Sequence, residues 1–221
     1  MKASSYSFRL LVLSLVLTAY SAVAQTKQTR SVSDFSRIEA SGATILYLTQ
    51  GAQTSVVVEA PDEAQPYLKT EVRGGVLKIY RESEGWTASV RSLFNNEKNN
   101  AKIYITCPRL TALQLSGATD VKGETPFRAD DFTIHASGAS DVTMQLTAKN
   151  LAVKASGASD IRLSGQVESQ QIHISGSSDY RASDLRSQQA TVEASGASDA
   201  YVSAARLSSH ASGSSDVHNK K

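Results

Sequence analysis

The chain has 221 residues, of which 40% are hydrophobic, 23 are basic and 21 are acidic. Near-equal numbers of positive and negative side chains exclude a protein that collects nucleic acid or anionic membrane by its net charge. The single cysteine, Cys107, excludes an internal disulfide. The strand-like residues before it favour a small buried apolar side chain over a reactive thiol.

Residues 1–24 have the pattern of a secretory signal. Lys2 and Arg9 precede an apolar run at residues 10–17, and small residues lead to an expected cleavage site after Ala24. A transmembrane anchor is the alternative, but the run is about half the ~20 apolar residues that a membrane span requires. We therefore expect an exported chain without a transmembrane anchor, in the periplasm, on the outer surface or outside the cell.

Residues 25–110 form an irregular, β-rich N-terminal half of the domain. Alternating hydrophobicity predicts strands at residues 44–49, 55–59, 68–73, 76–81 and 102–107. Gly74-Gly75 stands between two of these runs, which is typical of a β-hairpin. A short helix is expected in the acidic stretch at residues 61–66, which is bounded by prolines.

A polar loop is predicted at residues 83–100, and it contains Trp86 and Phe94. Aromatic side chains in an irregular segment can stack on sugars or anchor a protein partner, so these two residues are candidates for partner binding. Other aromatic residues of this half are expected to fill the junction between the hairpins and the repeats. They are Tyr47, Tyr67, Tyr80 and Tyr104.

Six copies of one phrase, of the form Ser-Gly-Ala-Ser-Asp, occupy the half of the chain at residues 111–221. They begin at Ser116, Ser137, Ser156, Ser175, Ser195 and Ser212, and the steps between them are 21, 19, 19, 20 and 17 residues. A repeat of this length indicates a solenoid, in which each unit buries its apolar side by stacking on the next unit. A further copy at Ser41 lacks the final aspartate.

Apolar residues alternate with polar ones on both sides of each phrase, which predicts strands with one buried face. The fold class is therefore all-β, a parallel β-helix-like solenoid for which a right-handed coil is favoured and the handedness left open. The phrase forms the corner of each coil. The polar residue two positions before each phrase falls on the outer surface, in the column Gln114, His135, Lys154, His173, Glu193 and His210.

Four members of this outer column, His135, Lys154, His173 and Glu193, are candidates for partner binding. The histidines are not expected to share a metal ion, because two coils, about 10 Å, separate successive histidines. No cofactor is expected.

The aspartates of the phrases are the calcium candidates of the sequence. They are Asp120, Asp141, Asp160, Asp179, Asp199 and Asp216. Carboxylates stacked about 5 Å apart repel one another, and either Ca²⁺ or nearby basic side chains must relieve the repulsion. Lys122, Arg162 and Arg181 stand two residues after three of these aspartates, which favours structural turn chemistry over a metal site.

No residue is predicted to be catalytic. Six equivalent serines describe a scaffold, because a nucleophile needs one serine in a singular environment with an oriented base. Acidic and basic residues recur by repeat and do not converge on one point, which weakens the alternative of a polysaccharide-active β-helix enzyme.

Several segments together resemble the bacterial GIN-domain family. They are DFSRIEASG at residues 34–42, VRGGVLKI at residues 72–79, residues 103–108 and the repeated phrase. Members of this family are described as putative auto-transporter adhesin head domains. The resemblance extends from about Arg30 to the last repeat, and it implies an exported, β-helical protein without a known enzymatic activity.

The sequence therefore predicts a non-catalytic protein of the cell envelope, an adhesin or a module that binds a glycan or an envelope protein. A calcium-stiffened structural or spacer protein is the alternative. Specific binding chemistry is expected where the repetition breaks, at the Trp86 loop or along the unequal outer column.

Overall fold

A computed structural model describes residues 25–82 and 100–220. Thirteen strands lie in these residues, and all belong to one sheet. The strands are β1 (Gln25–Arg30), β2 (Arg37–Gln50), β3 (Ser55–Pro61), β4 (Leu68–Arg73), β5 (Val76–Arg81), β6 (Ala101–Cys107), β7 (Ala112–Gly123), β8 (Phe127–Ala136), β9 (Asp141–Ala155), β10 (Asp160–Ile174), β11 (Asp179–Ala194), β12 (Asp199–Ala211) and β13 (Asp216–Asn219).

The repeat half winds into a β-solenoid of about 5 turns. Each strand from β7 onward pairs in parallel with the strand of the next coil, and β2 joins the same stack by parallel pairing with β6 and β7. Antiparallel pairs occur near the N-terminus, between β1 and β3, between β3 and β6, and between β4 and β5. The prediction of an all-β solenoid with an irregular first half is confirmed.

The predicted hairpin is confirmed, because β4 and β5 pair up to Arg73 and Val76 around the two glycines. Gly74 and Gly75 have φ values of +58° and +74°, the left-handed region that a two-residue hairpin turn requires. The expected short helix lies slightly later than predicted, as one 3₁₀ turn at Gln65–Tyr67.

One continuous hydrophobic core extends from Phe35 to Val202 and joins the two halves. The residues predicted to point inward are buried in every coil up to Val202, each with at most 3% exposure. Val217, in the final strand, is half-buried. The predicted residues are buried because alternation with period two places every second side chain of each strand inside the coil.

The phrase packs the corners of neighbouring coils tightly against each other. Gly157 has a φ of +85°, and a Cβ built there would lie 2.5 Å from the carbonyl oxygen of Gly138 in the preceding coil. The backbone N–H of Ala158 donates to the same oxygen at 2.8 Å. Glycine is required here for two reasons, the left-handed backbone and the close approach of the next coil.

The fourth residue of each phrase points into the core, a feature that the sequence analysis did not identify. Ser178 shows how its hydroxyl joins the coils: it accepts from the backbone N–H of Ser159 at 3.3 Å and donates to the carbonyl of Gly157 at 3.4 Å. A row of such buried hydroxyls follows the corners, namely Thr44, Thr119, Ser140, Ser159, Ser178, Ser198 and Ser215. The phrase is therefore a structural joint.

Cys107 is buried, as predicted, with 1% exposure. Its burial raises the pKa of the thiol to about 11, so the thiolate is disfavoured at neutral pH. The side chain acts as a small apolar residue in the core.

Candidate functional site

The outer column predicted from the sequence forms one continuous row across the coils. Strand register places His135 beside Lys154, Lys154 beside His173, and His173 beside Glu193. Nδ1 of His173 lies 2.9 Å from Oε2 of Glu193, and a shallow groove of about 300 Å³ follows this part of the row. The structure thus brings these four candidates together on one outer face. Trp86 and Phe94 lie outside the described residues.

The aspartates of the phrases also form a row, since Asp141 pairs in register with Asp160 and Asp160 with Asp179. Burial raises the pKa of Asp160, the neighbouring Asp141 and Asp179 add to this effect, and Arg162 and Arg181 oppose it. Both guanidinium groups bond to Oδ2 of Asp160, with Nη1 of Arg181 at 2.6 Å. Basic side chains therefore relieve the repulsion in this part of the row.

Calcium is expected to leave the stability of the protein unchanged, because the guanidinium groups already occupy carboxylate oxygens of Asp160 and Asp179. Within residues 25–82 and 100–220, no group of three or more His, Cys, Asp or Glu side chains is arranged to hold a metal ion. The measurement is the melting temperature in millimolar Ca²⁺ and in chelator. A steep rise with Ca²⁺ and a fall with chelator would show that the aspartate row is a metal site.

A second outward row lies two residues beyond the aspartates, and only its basic members could be assigned to it from the sequence. Register links its residues across eight strands, in the order Tyr104, Tyr47, Lys122, Thr143, Arg162, Arg181, Tyr201 and His218. We call it the aromatic–basic row. It contains aromatic rings at both ends and basic side chains between them.

The aromatic ends of this row are stacked pairs. The rings of Tyr47 and Tyr104 are 5.0 Å apart and tilted by 13°, and those of Tyr201 and His218 are 4.8 Å apart and tilted by 15°. Lys122 Nζ lies 5.7 Å from the centre of the Tyr47 ring, a cation–π distance. Tyr47 and Tyr104, which were expected at the junction between the hairpins and the repeats, are half-buried and lie on the outward parity of their strands.

Glu59 holds the Tyr104 end of the row in place. Its carboxylate accepts from Tyr104 Oη at 3.0 Å and from Lys102 Nζ at 3.0 Å, and Lys27 Nζ lies 3.3 Å away. Burial alone would raise the pKa of Glu59, but hydrogen bonds from Lys102, Tyr104 and Lys27 outweigh it, so the pKa is lowered. Ionised Glu59 therefore stabilises the fold.

The substitution Glu59→Gln is expected to destabilise the protein at neutral pH and to have less effect in acid. A carboxyl group with a lowered pKa in the folded state contributes stability above its unfolded pKa, about 4.3, and loses it as the pH falls through the folded value. Urea unfolding of both proteins at several pH values measures the difference. Glu39→Gln removes an exposed ion pair with Lys78 and serves as the control. A difference that does not narrow in acid would contradict this role of Glu59.

A groove of about 590 Å³ lies along the aromatic–basic row, and we call it the Tyr201 groove. It extends from Gly123 at the end of β7 to Tyr201 on β12, with Met144 and Leu163 at its base. Its polar lining consists of Thr143, Gln145, Arg162, Ser164, Arg181, Ser183, Asp184 and Tyr201. It combines an apolar base, one aromatic ring and several hydrogen-bonding groups.

The Tyr201 groove lies where neighbouring coils differ in length. Arg162 pairs with Arg181 but Ser164 pairs with Asp184, so β11 has one extra residue there. In the same region β11 has three more residues than β12, because Arg181 pairs with Tyr201 and Arg186 with Ser203. These bulges place Ser183 and Asp184 on the wall of the groove.

The opposite end of the groove has the same origin. Lys122 pairs with Thr143, but Phe127 pairs with Leu146, so the chain between β7 and β8 contains two extra residues and leaves the ladder at Gly123. The unequal steps of 21, 20 and 17 residues between phrases are the sequence signal of these breaks. The repetition thus also breaks at the Tyr201 groove, a place that was not named from the sequence.

A further groove of about 640 Å³ is lined by exposed charged side chains. Lys149 pairs with Asp130 at 2.9 Å, and Asn150 donates to Asp131 at 2.8 Å. Arg109 and Arg128 also line it. It has no aromatic side chain in its lining.

Comparison with protein families gives a match over residues 34–221 to the family described as "Putative auto-transporter adhesin, head GIN domain". The chain belongs to this family. The resemblance of its motifs is thereby confirmed over most of the sequence. Comparison with curated proteins gave no match.

Solved structures share the fold of this GIN domain. A putative adhesin from Bacteroides fragilis has 22% sequence identity and a TM-score of 0.79, with 90% of this chain and 98% of that chain covered. A putative adhesin from Parabacteroides merdae has 12% identity and a TM-score of 0.63, with 89% and 96% covered. A putative lipid binding protein from Parabacteroides distasonis has 19% identity and a TM-score of 0.60, with 89% and 97% covered. The description of the family supports an adhesin-like or binding protein.

No helix in residues 25–82 or 100–220 has the length and apolar character to cross a membrane.

Proposed function

We propose that this GIN domain is an exported, non-catalytic binding module of the cell envelope, whose ligand is a glycan or an envelope protein. The observation that carries the proposal is the Tyr201 groove, set into rows of outward side chains that repeat from coil to coil. Repeated contacts along such rows sum through multivalency, which suits adhesion. The secretory pattern of residues 1–24 supports export.

The arrangement of acidic groups supports binding without turnover. Asp160 is the carboxylate beside the groove whose pKa is raised, which is the property of a general acid. Its Oδ2 is bonded to Arg162 and Arg181, and its Oδ1 is buried without a partner. A general acid must present its proton to the substrate. Neither oxygen of Asp160 is placed to do so, because one is bonded to two arginines and the other is buried.

The test is a binding screen of the purified exported protein against envelope glycans and envelope proteins, with release of reducing sugar ends measured in parallel. We expect retention of at least one ligand without turnover, and recovery of the protein in the envelope fractions of the cell. Turnover of a polysaccharide that one substitution abolishes would establish an enzyme. Absence of any ligand would overturn the proposal.

A further inference from the structure

We infer that the Tyr201 groove binds a neutral, extended glycan that lies along the coil axis and contacts the Tyr201 ring. The inference rests on the proposed function and assigns it a site and a ligand class. Three features of the groove support it, namely an aromatic ring in its lining, balanced charge and polar groups on successive strands.

The Tyr201 ring lines the groove. His218 stacks on one face of this ring at 4.8 Å. Arg181 is the register neighbour of Tyr201 on the groove side, but its guanidinium bonds to Asp179 in its own coil and to Asp160 in the preceding coil, each at 2.6 Å. The head of Arg181 is thus turned away from Tyr201. A planar ring held in place by a second ring is a rigid apolar contact for the C–H groups of a sugar.

The charges around the groove balance within the protein. Arg162 pairs with Asp160, Arg181 with Asp160 and Asp179, and Lys220 with Asp184 at 3.3 Å. Three cations therefore face three carboxylates. An anionic or cationic ligand would have to displace one member of these pairs, whereas a neutral ligand keeps them intact and uses their remaining donors and acceptors.

The polar groups repeat along the coil axis. Thr143, Arg162, Arg181 and Tyr201 come from successive strands, and Gln145 and Ser164 form a parallel set. The groove crosses from β7 to β12 by four strand-to-strand steps of about 4.8 Å, or about 19 Å in all. A polymer of similar units, each close in length to one strand spacing, meets a hydrogen-bonding group at each step. An extended glycan has this repeat, and its hydroxyl groups both donate and accept.

The experiment measures binding of the full exported protein to neutral hexasaccharides, with cello-, malto-, xylo- and manno-hexaose as probes, and to acidic oligomers of hyaluronan and polygalacturonate. At least one neutral probe is expected to bind, with an affinity that does not change between low and high salt. Tyr201→Ala is expected to weaken it about tenfold or more, and Tyr201→Phe by less than about threefold, because the ring is retained.

Arg128→Ala is the matched control, since it removes an exposed arginine from the 640 Å³ groove and is expected to leave the affinity unchanged. Melting curves check that each variant folds. Neutral binding that Tyr201→Ala does not affect would overturn the site, and salt-sensitive binding of acidic probes alone would overturn the ligand class. Binding of envelope proteins without any glycan would overturn this inference and leave the proposed function standing. Absence of every ligand would overturn both.

Discussion

Replacing Gly157 with alanine is expected to lower the free energy of unfolding by about 2–5 kcal/mol. The backbone at Gly157 is left-handed, with a φ of +85°, which costs an L-residue about 1–2 kcal/mol. The new Cβ would also lie 2.5 Å from the carbonyl oxygen of Gly138, and relief of such crowding in a packed interior typically costs about 1–3 kcal/mol. Urea unfolding followed by circular dichroism measures the loss.

Gly74→Ala is the matched control for this substitution. Gly74 also has a positive φ, +58°, but nothing lies within 4 Å of a Cβ built there. Only the backbone cost applies, so we expect a loss of about 1–2 kcal/mol. Equal losses for the two variants would mean that the close stacking of corners does not contribute to stability, and the account of the repeated phrase would be wrong.

Replacing Tyr180 with alanine is expected to destabilise the protein by about 3–5 kcal/mol, the range for large-to-small changes at buried aromatic residues. Tyr180 is fully buried and lies in the ladder between Ile161 and Ala200. The small Ala200 leaves room for its ring, so the two side chains fill the coil interior together. Denaturant unfolding is again the measurement.

The hydroxyl of Tyr180 has a separate role. It donates to Oε1 of Gln170 at 2.7 Å, and Nε2 of Gln170 donates to Ser187 at 2.8 Å. Tyr180→Phe retains the ring but leaves a buried amide oxygen without a partner, which is expected to cost about 1–3 kcal/mol. If Tyr180→Phe were as destabilising as Tyr180→Ala, the hydrogen bond and not the packing of the ring would dominate at this position.

Most of the solenoid could be predicted from the sequence because its physical determinants are local and repeated. Inward positions alternate with outward ones over every strand of the repeat. Because a shift of one residue in the register would expose a whole set of apolar side chains, the pattern specifies the register. Val153 and Ile172 occupy the same position in successive coils, and both are buried. Gly74-Gly75 marked the hairpin for an equally local reason, its left-handed turn.

The candidate site was only partly predictable, because it depends on which residues of different coils become neighbours. Arg162 and Arg181 were identified as partners of the aspartates, but Tyr201 gave no signal until the pairing of β11 with β12 placed it beside Arg181. Tyr47 and Tyr104 are 57 positions apart in the chain and meet only through the pairing of β2 with β6. The unequal repeat lengths indicated which coils contain extra residues. They did not indicate where the bulge lies within the coil, because packing decides that position.

The most direct test of the central claim, that ligand binding occurs where the repetition breaks, is to map backbone amide chemical shifts of the protein as neutral hexasaccharides are added. We predict that the shifts concentrate at Gln145, Ser164, Asp184 and Tyr201, and that the row from His135 to Glu193 stays unchanged. Shifts confined to that row or to the groove at Arg109 and Arg128, or no shifts at all, would contradict the account.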